Sequence, residues 1–278
     1  MHKKIFDGII ASAVSLSILA SGTIGTFASG FSDTQDHWAQ EAIEIWAGHE
    51  VVEGFEGAFR PDAAITRGEM AVIINRIMNY QEAAENTFSD LPDTWYTDAV
   101  LKLVKYGVMQ GYDGQIRPED YVTREESLVM IARALNMKSN NTKSLSFSDS
   151  IAISEWAREA VQAMAERGFI NGYEDGSFRP GENMTRACSV TIMNNSIKGF
   201  YNKPGTYTAD EAIDGYVIVA SDGVILEGME INGDLIVSPA VKDGSVTLKD
   251  TTVKGEQIVI TPPQTPAPPV DPPTDPGE

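Results

Sequence analysis

Asn171-Gly172-Tyr173-Glu174-Asp175-Gly176-Ser177-Phe178-Arg179-Pro180, leading to Thr185-Arg186, is the stretch that decides the fold, because it occurs three times. The earlier copies are Glu53-Gly54-Phe55-Glu56-Gly57-Ala58-Phe59-Arg60-Pro61 before Thr66-Arg67, and Gln110-Gly111-Tyr112-Asp113-Gly114-Gln115-Ile116-Arg117-Pro118 before Thr123-Arg124. In every copy the threonine lies six positions after the Arg-Pro arginine. A constant offset argues for three copies of one structural unit. Upstream, each unit opens with Phe-Ser-Asp at Phe31, Phe88 and Phe147, spaced by 57 and 59 residues. Repeats of this size bury little apolar surface alone, so the three are expected to pack into one body.

Each unit carries two amphipathic helices. After Trp38, apolar residues recur at Ala42, Ile43, Ile45 and Trp46; after Trp95 at Ala99, Leu103 and Val104; after Trp156 at Ala160, Val161 and Met164. That is helical spacing, and it assigns the three tryptophans to the core. Gly54, Gly111 and Gly172 follow as turn positions, and Asp113-Gly114 and Asp175-Gly176 are strong turn dipeptides, with Glu56-Gly57 a weaker one. Proline biases the preceding arginine toward extended backbone. The spaced ligands of a calcium-binding loop are missing there, so neither a metal nor a cofactor is expected. Thr66-x-x-Glu69 and Thr123-x-x-Glu126 read as capping boxes that start the second helices, whereas Cys188 stands where the third glutamate belongs. Behind the caps, Met70, Ile73, Ile74, Ile77 and Met78, then Leu128, Ile131 and Leu135, then Val190, Met193 and Ile197 form stripes that can meet as a central three-helix core.

The ends differ from the middle. Lys3 and Lys4, the apolar run Ile9 to Ala20 and Thr26-Phe27-Ala28 have the three parts of a secretion signal over residues 1–28. The whole chain has a formal charge of −19; losing Lys3, Lys4 and Asp7 with the signal leaves 19 basic against 39 acidic residues, or −20. Bulk charge therefore excludes nucleic acid and anionic membrane as partners. Cys188 is the single cysteine, which rules out an intrachain disulfide, and it reads as a small buried apolar residue. Beyond Tyr201, short β-type runs alternate with glycine, and Val224, Leu226, Ile231, Gly233, Ile236 and Val237 recur 22 residues later as Val246, Leu248, Val253, Gly255, Ile258 and Val259. This suggests two rungs of a parallel β-helix. From Pro262 the chain is a proline-rich, acidic, extended tail.

Phe-Ser-Asp, Trp, Gly-Tyr-x-Asp-Gly-x-Phe-Arg-Pro and Thr-Arg-x-Glu, in this order three times behind a signal, resemble the S-layer homology (SLH) domain family. The likeness covers residues 31 to about 200; its second-helix signature Thr-Arg-Ala-Glu appears as Thr66-Arg67-Gly68-Glu69, Thr123-Arg124-Glu125-Glu126 and Thr185-Arg186-Ala187-Cys188. The resemblance implies a mainly α fold in which three helical repeats, 29–86, 87–145 and 146–203, stand in a pseudo-threefold arrangement. A β segment at 204–261 and the tail at 262–278 follow, and residues 29–203 are expected to fold alone. It further implies a non-enzymatic, secreted cell-surface anchor that binds pyruvylated secondary cell-wall polysaccharide in grooves between repeats.

The candidate ligand-binding residues are Arg67, Arg124 and Arg186 at the helix starts, Gly54, Gly111 and Gly172 for close backbone approach, and Trp38, Trp95 and Trp156 for stacking. A pyruvate ketal presents a carboxylate, which a guanidinium at a helix N-terminus meets with paired hydrogen bonds and help from the helix dipole. On the residues alone, a salt bridge to a neighbouring unit's aspartate is the commoner role for such an arginine; its placement within the family pattern turns the expectation toward ligand. The departure at Cys188 ranks Arg186 behind Arg67 and Arg124. Two other readings fit the same repeats: a self-associating surface-lattice protein, and a shortened β-helix enzyme acting on polysaccharide, against which stands the lack of any carboxylate pair in the rungs.

Overall fold

A computed structural model describes residues 30–140 and 144–263; the signal segment 1–28 and the tail beyond residue 263 lie outside the described residues. Each repeat holds two helices: α1 (Gln40–Gly48) and α2 (Arg67–Met78), α3 (Thr97–Lys105) and α4 (Arg124–Ala134), α5 (Glu155–Glu166) and α6 (Arg186–Ser196). The predicted caps form. Thr66 and Thr123 close full capping boxes with Glu69 and Glu126, while Thr185 Oγ1 accepts from the Cys188 amide at 3.2 Å and has no glutamate to answer its own N–H.

The stripes are buried as expected, with Met70, Ile74, Leu128, Ile131, Val190 and Met193 all in one core. Their main partners differ from the expected arrangement. Each second helix packs chiefly on the first helix of the next repeat, α2 on α3, α4 on α5 and α6 on α1, while α2 also touches α4. The second helices are thus central, but the seams between repeats, more than a closed three-helix core, hold the apolar surface. Backbone bonds close the same ring: the Val122 amide donates to Ile65 O, Met184 to Val122 O, and Ile65 to Met184 O, at 3.0, 2.9 and 2.9 Å.

The Phe-Ser-Asp aspartates explain the loops. Asp33, Asp90 and Asp149 each accept two consecutive amides, from Phe59 and Arg60, Ile116 and Arg117, and Phe178 and Arg179, at 2.7–2.8 Å. Burial alone would raise the Asp33 and Asp149 carboxyls, but these amide bonds outweigh it and hold both below the ordinary carboxylate value. The same clamp corrects the expectation of extended arginines. Arg60, Arg117 and Arg179 have φ of 59°, 51° and 58°, in the left-handed region; the paired bonds hold a conformation that the following proline does not favour. Between clamp and helix, Glu56-Gly57 and Asp113-Gly114 make two-residue hairpin turns with both φ positive, as the dipeptides indicate. The third copy has one more residue, and its loop closes through Gly176 N–H to Tyr173 O.

The β segment starts earlier and is larger than expected. Helix α6 runs directly into β1 (Ile197–Tyr201), inside the third repeat as bounded from sequence, followed by β2 (Gly205–Tyr207), β3 (Tyr216–Val219), β4 (Val224–Glu227), β5 (Glu230–Ile231), β6 (Leu235–Val237), β7 (Thr247–Lys249), β8 (Thr252–Val253) and β9 (Gln257–Val259). All pair in parallel, in sheets ordered β1-β3-β6-β9, β2-β4-β7 and β5-β8, a solenoid of about three turns in place of two rungs. The last turn keeps the 22-residue step seen in the sequence, Ile225 opposite Thr247 and Ile236 opposite Ile258. Earlier steps are shorter, Gly199 to Val217 and Gly205 to Val224, and so escape a fixed-period search.

Alternation along the strands gives the solenoid two faces. Val217, Val219, Leu235 and Val237 point into its own core, whereas Tyr216, Ile218, Ala220 and Ile236 belong to the core of the helices. Phe200 on β1 packs on Trp46 of α1 with ring centroids 5.5 Å apart. Ser238 Oγ donates to Met78 O at 2.5 Å, Asn79 Nδ2 to Ala220 O at 3.2 Å and Asn202 Nδ2 to His49 O at 3.2 Å. Helices and solenoid therefore share a core, which revises the independent unit expected for residues 29–203.

Candidate functional site

The first turn of each second helix lies in a cleft against the following repeat. There the backbone amides are already used: Arg67 and Gly68 donate to Asp120 O and Pro118 O, Arg124 and Glu125 to Glu182 O and Pro180 O, and Arg186 and Ala187 to Ala63 O and Pro61 O. With the threonine taking the next amide, the first turns of α2, α4 and α6 have no amide left open to an anion. The expected help from the helix dipole is thus directed at neighbouring carbonyls.

The arginine side chains cross the same clefts. Arg67 sends Nη1 to Glu126 Oε1 at 3.0 Å, Nη2 to Gln110 O at 3.1 Å and Nε to Ile116 O at 3.1 Å. Arg186 repeats the pattern one cleft on, with Nη1 to Glu69 Oε1 at 3.3 Å, Nη2 to Glu53 O and Nε to Phe59 O, both at 2.9 Å. Each glutamate serves twice, since its other oxygen, Oε2, takes the N-cap amide of Thr66 or Thr123 at 2.9 Å. Burial pushes both guanidinium groups down, and the carboxylate opposite each works against that shift. These two arginines are salt-bridged across repeats, as the commoner role of such residues foresees, but the partner is the next repeat's capping glutamate and not an aspartate.

Arg124 is different. It is 8 % exposed, its Nη2 donates to Asn171 O at 3.1 Å, and its guanidinium carbon lies 5.0 Å from the Phe178 ring centre and 5.3 Å from that of Tyr173. The position of its missing carboxylate is held by Cys188. The consequence of the Cys188 departure therefore falls on Arg124 and the cleft between repeats two and three, and not on Arg186 as the sequence ranking has it. Cys188 itself is half-buried and packs against the core.

The aromatic residues also move from their expected places. Trp38 and Trp95 are 55 % and 65 % exposed, so neither is a core residue; only Trp156 packs partly into the core, and it lies within α5 while the other two precede their helices. The residue after each tryptophan, Ala39, Tyr96 and Ala157, takes the buried position instead. Phe55, Tyr112 and Tyr121 are exposed as well, a set that sequence patterning missed because they sit on hairpins and loops outside any helical stripe.

Gly54, Gly111 and Gly172 have a packing reason. A Cβ at Gly54 would lie 2.4 Å from Ala58 O and 2.6 Å from the Phe31 ring; at Gly111, 2.4 Å from Gln115 O and 2.7 Å from Phe88; at Gly172, 2.9 Å from Ser177 O and 3.0 Å from Phe147. Each lets the hairpin close on the Phe-Ser-Asp phenylalanine, directly after the carbonyl that receives the arginine. Gly111→Ala is expected to lower stability by about 1–3 kcal/mol, the range for overpacking, and chemical denaturation measures it. Among the described residues no group of three or more His, Cys, Asp or Glu could hold a metal ion, and no helix is long and apolar enough to cross a membrane.

Comparison with known proteins agrees with the repeat geometry. The chain is 35 % identical over 170 residues to an amylopullulanase of Thermoanaerobacterium thermosulfurigenes, covering 59 % of this chain and 9 % of that protein. It is 29 % identical over 193 residues to a cellulosome-anchoring protein of Acetivibrio thermocellus, 63 % of this chain and 43 % of that one. Against the S-layer protein sap of Bacillus anthracis it is 23 % identical over 262 residues, 92 % of this chain and 32 % of the relative. The chain thus spans less than half of each of these relatives. Residues 30–71, 87–126 and 146–187 match the family model of the S-layer homology domain, so that each of the three repeats described above is a domain of that family.

Proposed function

We propose that this protein is a non-enzymatic anchor at the bacterial cell surface, secreted behind its signal and held there by binding pyruvylated secondary cell-wall polysaccharide in the clefts between its repeats. The clefts are related by a pseudo-threefold arrangement, which the closed ring of Ile65, Val122 and Met184 bonds supports. The observation that carries the reading is the repetition itself: at each seam a largely shielded arginine reaches the next repeat, and two of the three lie against aromatic rings, Arg186 against Phe59 and Arg124 against Phe178 and Tyr173. A guanidinium supplies charge-assisted hydrogen bonds to a carboxylate, and an exposed aromatic face covers the apolar side of a sugar. The relatives include proteins named for cellulosome anchoring and for the S-layer, which supports surface attachment.

A negative chain and an anionic polymer repel at long range, a repulsion screened beyond about 10 Å at 0.1 M salt, so attachment rests on short-range contacts in the clefts. Sedimentation with purified sacculi is the test. The protein is expected to co-sediment with intact sacculi and to remain soluble with sacculi stripped of their secondary polymer. Equal binding to both would place the target in peptidoglycan and overturn the reading. A lattice-forming role has support in the likeness to an S-layer protein over 92 % of this chain; ordered sheets in electron micrographs of the purified protein would favour it.

A further inference from the structure

The two ends of the solenoid are finished differently. On its inward side Tyr201 heads the column of Val219, Val237 and Val259, and Tyr207 heads that of Leu226 and Leu248. The first turn is thus closed by two tyrosine rings with centroids 4.6 Å apart. The last turn has no such lid among the described residues. Val224, Leu226 and Ile231 of the turn before it are at most 3 % exposed, yet Val246, Leu248 and Val253, which follow them by 22 residues, are only half-buried, and Val259 is 48 % exposed.

The backbone is open there as well. Alternate residues of a strand direct their N–H and C=O to opposite edges, and Lys249, Thr252, Lys254 and Ile260 are bonded back to the preceding turn. Leu248, Val253 and Val259, each one position away from these, therefore direct theirs off the end. Such an edge over an apolar interior is a template for another strand. The sequence that follows does not supply it: the positions 22 residues beyond Val246, Leu248 and Val253 are Pro268, Val270 and Asp275, and Pro262, Pro263 and Pro266 lack the N–H that a ladder needs. A Cβ at Gly107, just past α3, would lie 3.6 Å from Pro263, so the chain leaves the last turn toward the helices.

We infer that this open end seats a second copy of the chain, so that two solenoids stack through their last turns. The sides of that turn are β7, β8 and β9, one in each sheet. A twofold axis through the middle of β7 sets β7 antiparallel to its own copy and β8 antiparallel to β9 of the other chain. The corner between β8 and β9 then faces itself in reverse, which brings Lys254 of each chain to Glu256 of the other; Lys254 also holds Glu230 in the turn beneath. The charges of the last turn, Lys249, Asp250, Lys254 and Glu256, cancel, so a chain of net charge −19 meets its copy where it is locally neutral. Ile258 and Ile260 lay β9 against the helices, whereas Val253 of β8 packs on the solenoid's own core, so the two helical bodies stand on different sides of the stack. The first turn, closed by tyrosines and continuous with α6, excludes head-to-tail addition, and the assembly stops at two.

Sedimentation velocity of the full chain over about 1–200 μM is the test, since a small interface gives a dimer of roughly micromolar affinity or weaker. A monomer–dimer equilibrium is expected, with amide exchange at Val253 and Val259 slowing as the dimer forms. Glu256→Lys sets lysine against lysine at both corners and should weaken the dimer about tenfold or more. Adding Lys254→Glu to it restores opposite charges and should recover most of that loss. Both side chains are exposed, so each variant should melt near the parent temperature. Val259→Pro removes one outward N–H and gives a second, charge-independent block that should also favour the monomer. A parent chain that stays monomeric throughout overturns the proposal: slow exchange at Val259 would then put the chain's own tail over the end, and fast exchange would leave the end without a partner. Filaments would mean head-to-tail stacking and overturn it as well. A dimer indifferent to both Glu256→Lys and Val259→Pro forms through another surface and does the same.

Discussion

Replacing Arg67 by alanine is expected to lower the stability of the chain by about 3–5 kcal/mol, the range for removing one partner of a buried ion pair. Both side chains are well shielded, at 11 % for Arg67 and 17 % for Glu126. The substitution strands three acceptors at once: Glu126 Oε1 and the carbonyls of Gln110 and Ile116. For a chain of this size each kcal/mol moves the midpoint by about 2–4 °C, so thermal melting should show a fall of roughly 6–20 °C. Arg124→Ala should cost less, about 1–2 kcal/mol, since it loses one carbonyl bond and two ring contacts and leaves no carboxylate unpaired. Similar melting for the two variants would refute the distinction between a paired and an unpaired cleft.

Ending the chain at Lys203 is expected to abolish cooperative folding of the helical repeats. That truncation keeps β1 but removes the three parallel partners of its sheet, β3, β6 and β9. Gone with them are Tyr216, Ile218 and Ile236, each buried to within 3 % in the same core as Trp46, Met78 and Tyr80. Burying such a side chain contributes about 1.5–3 kcal/mol, so three of them amount to much of the 5–15 kcal/mol that separates a typical folded domain from its unfolded state. The exposed edge of β1 would add a site for association. Urea titration of residues 29–203 beside residues 29–278 is the measurement. A sharp transition of undiminished midpoint in the shorter chain would mean that the shared core contributes little.

Local rules carried well from residue pattern to structure. Thr66 and Thr123 cap where a Thr-x-x-Glu reading puts them, the helical stripes are buried, Asp113-Gly114 turns a hairpin, and the 22-residue step between Ile236 and Ile258 is a solenoid register. Each of these depends on neighbours within a turn, a helix or one fixed period, which a sequence states directly. The family pattern adds the order of repeats for the same reason.

Partnership across the fold did not carry. Glu126 and Glu69 read as caps alone, because the arginines that they also hold are 59 and 117 residues away. That Cys188 unbalances Arg124, and not its own neighbour Arg186, follows from the direction in which the repeats close into a ring, which no single repeat encodes. Trp38 and Trp95 share a phase with the buried stripes yet stand outside them, since their helices begin two residues later, at Gln40 and Thr97. The left-handed arginines before proline depend on aspartates 27 to 30 residues upstream. By itself, then, the sequence determined the units, their caps and their buried faces, which are local balances of spacing, hydrogen bonding and hydrophobicity. The tertiary structure alone decided which charges meet and which one is left without a partner, because a buried charge is stabilised by whatever the fold brings within a few ångströms of it, however distant along the chain.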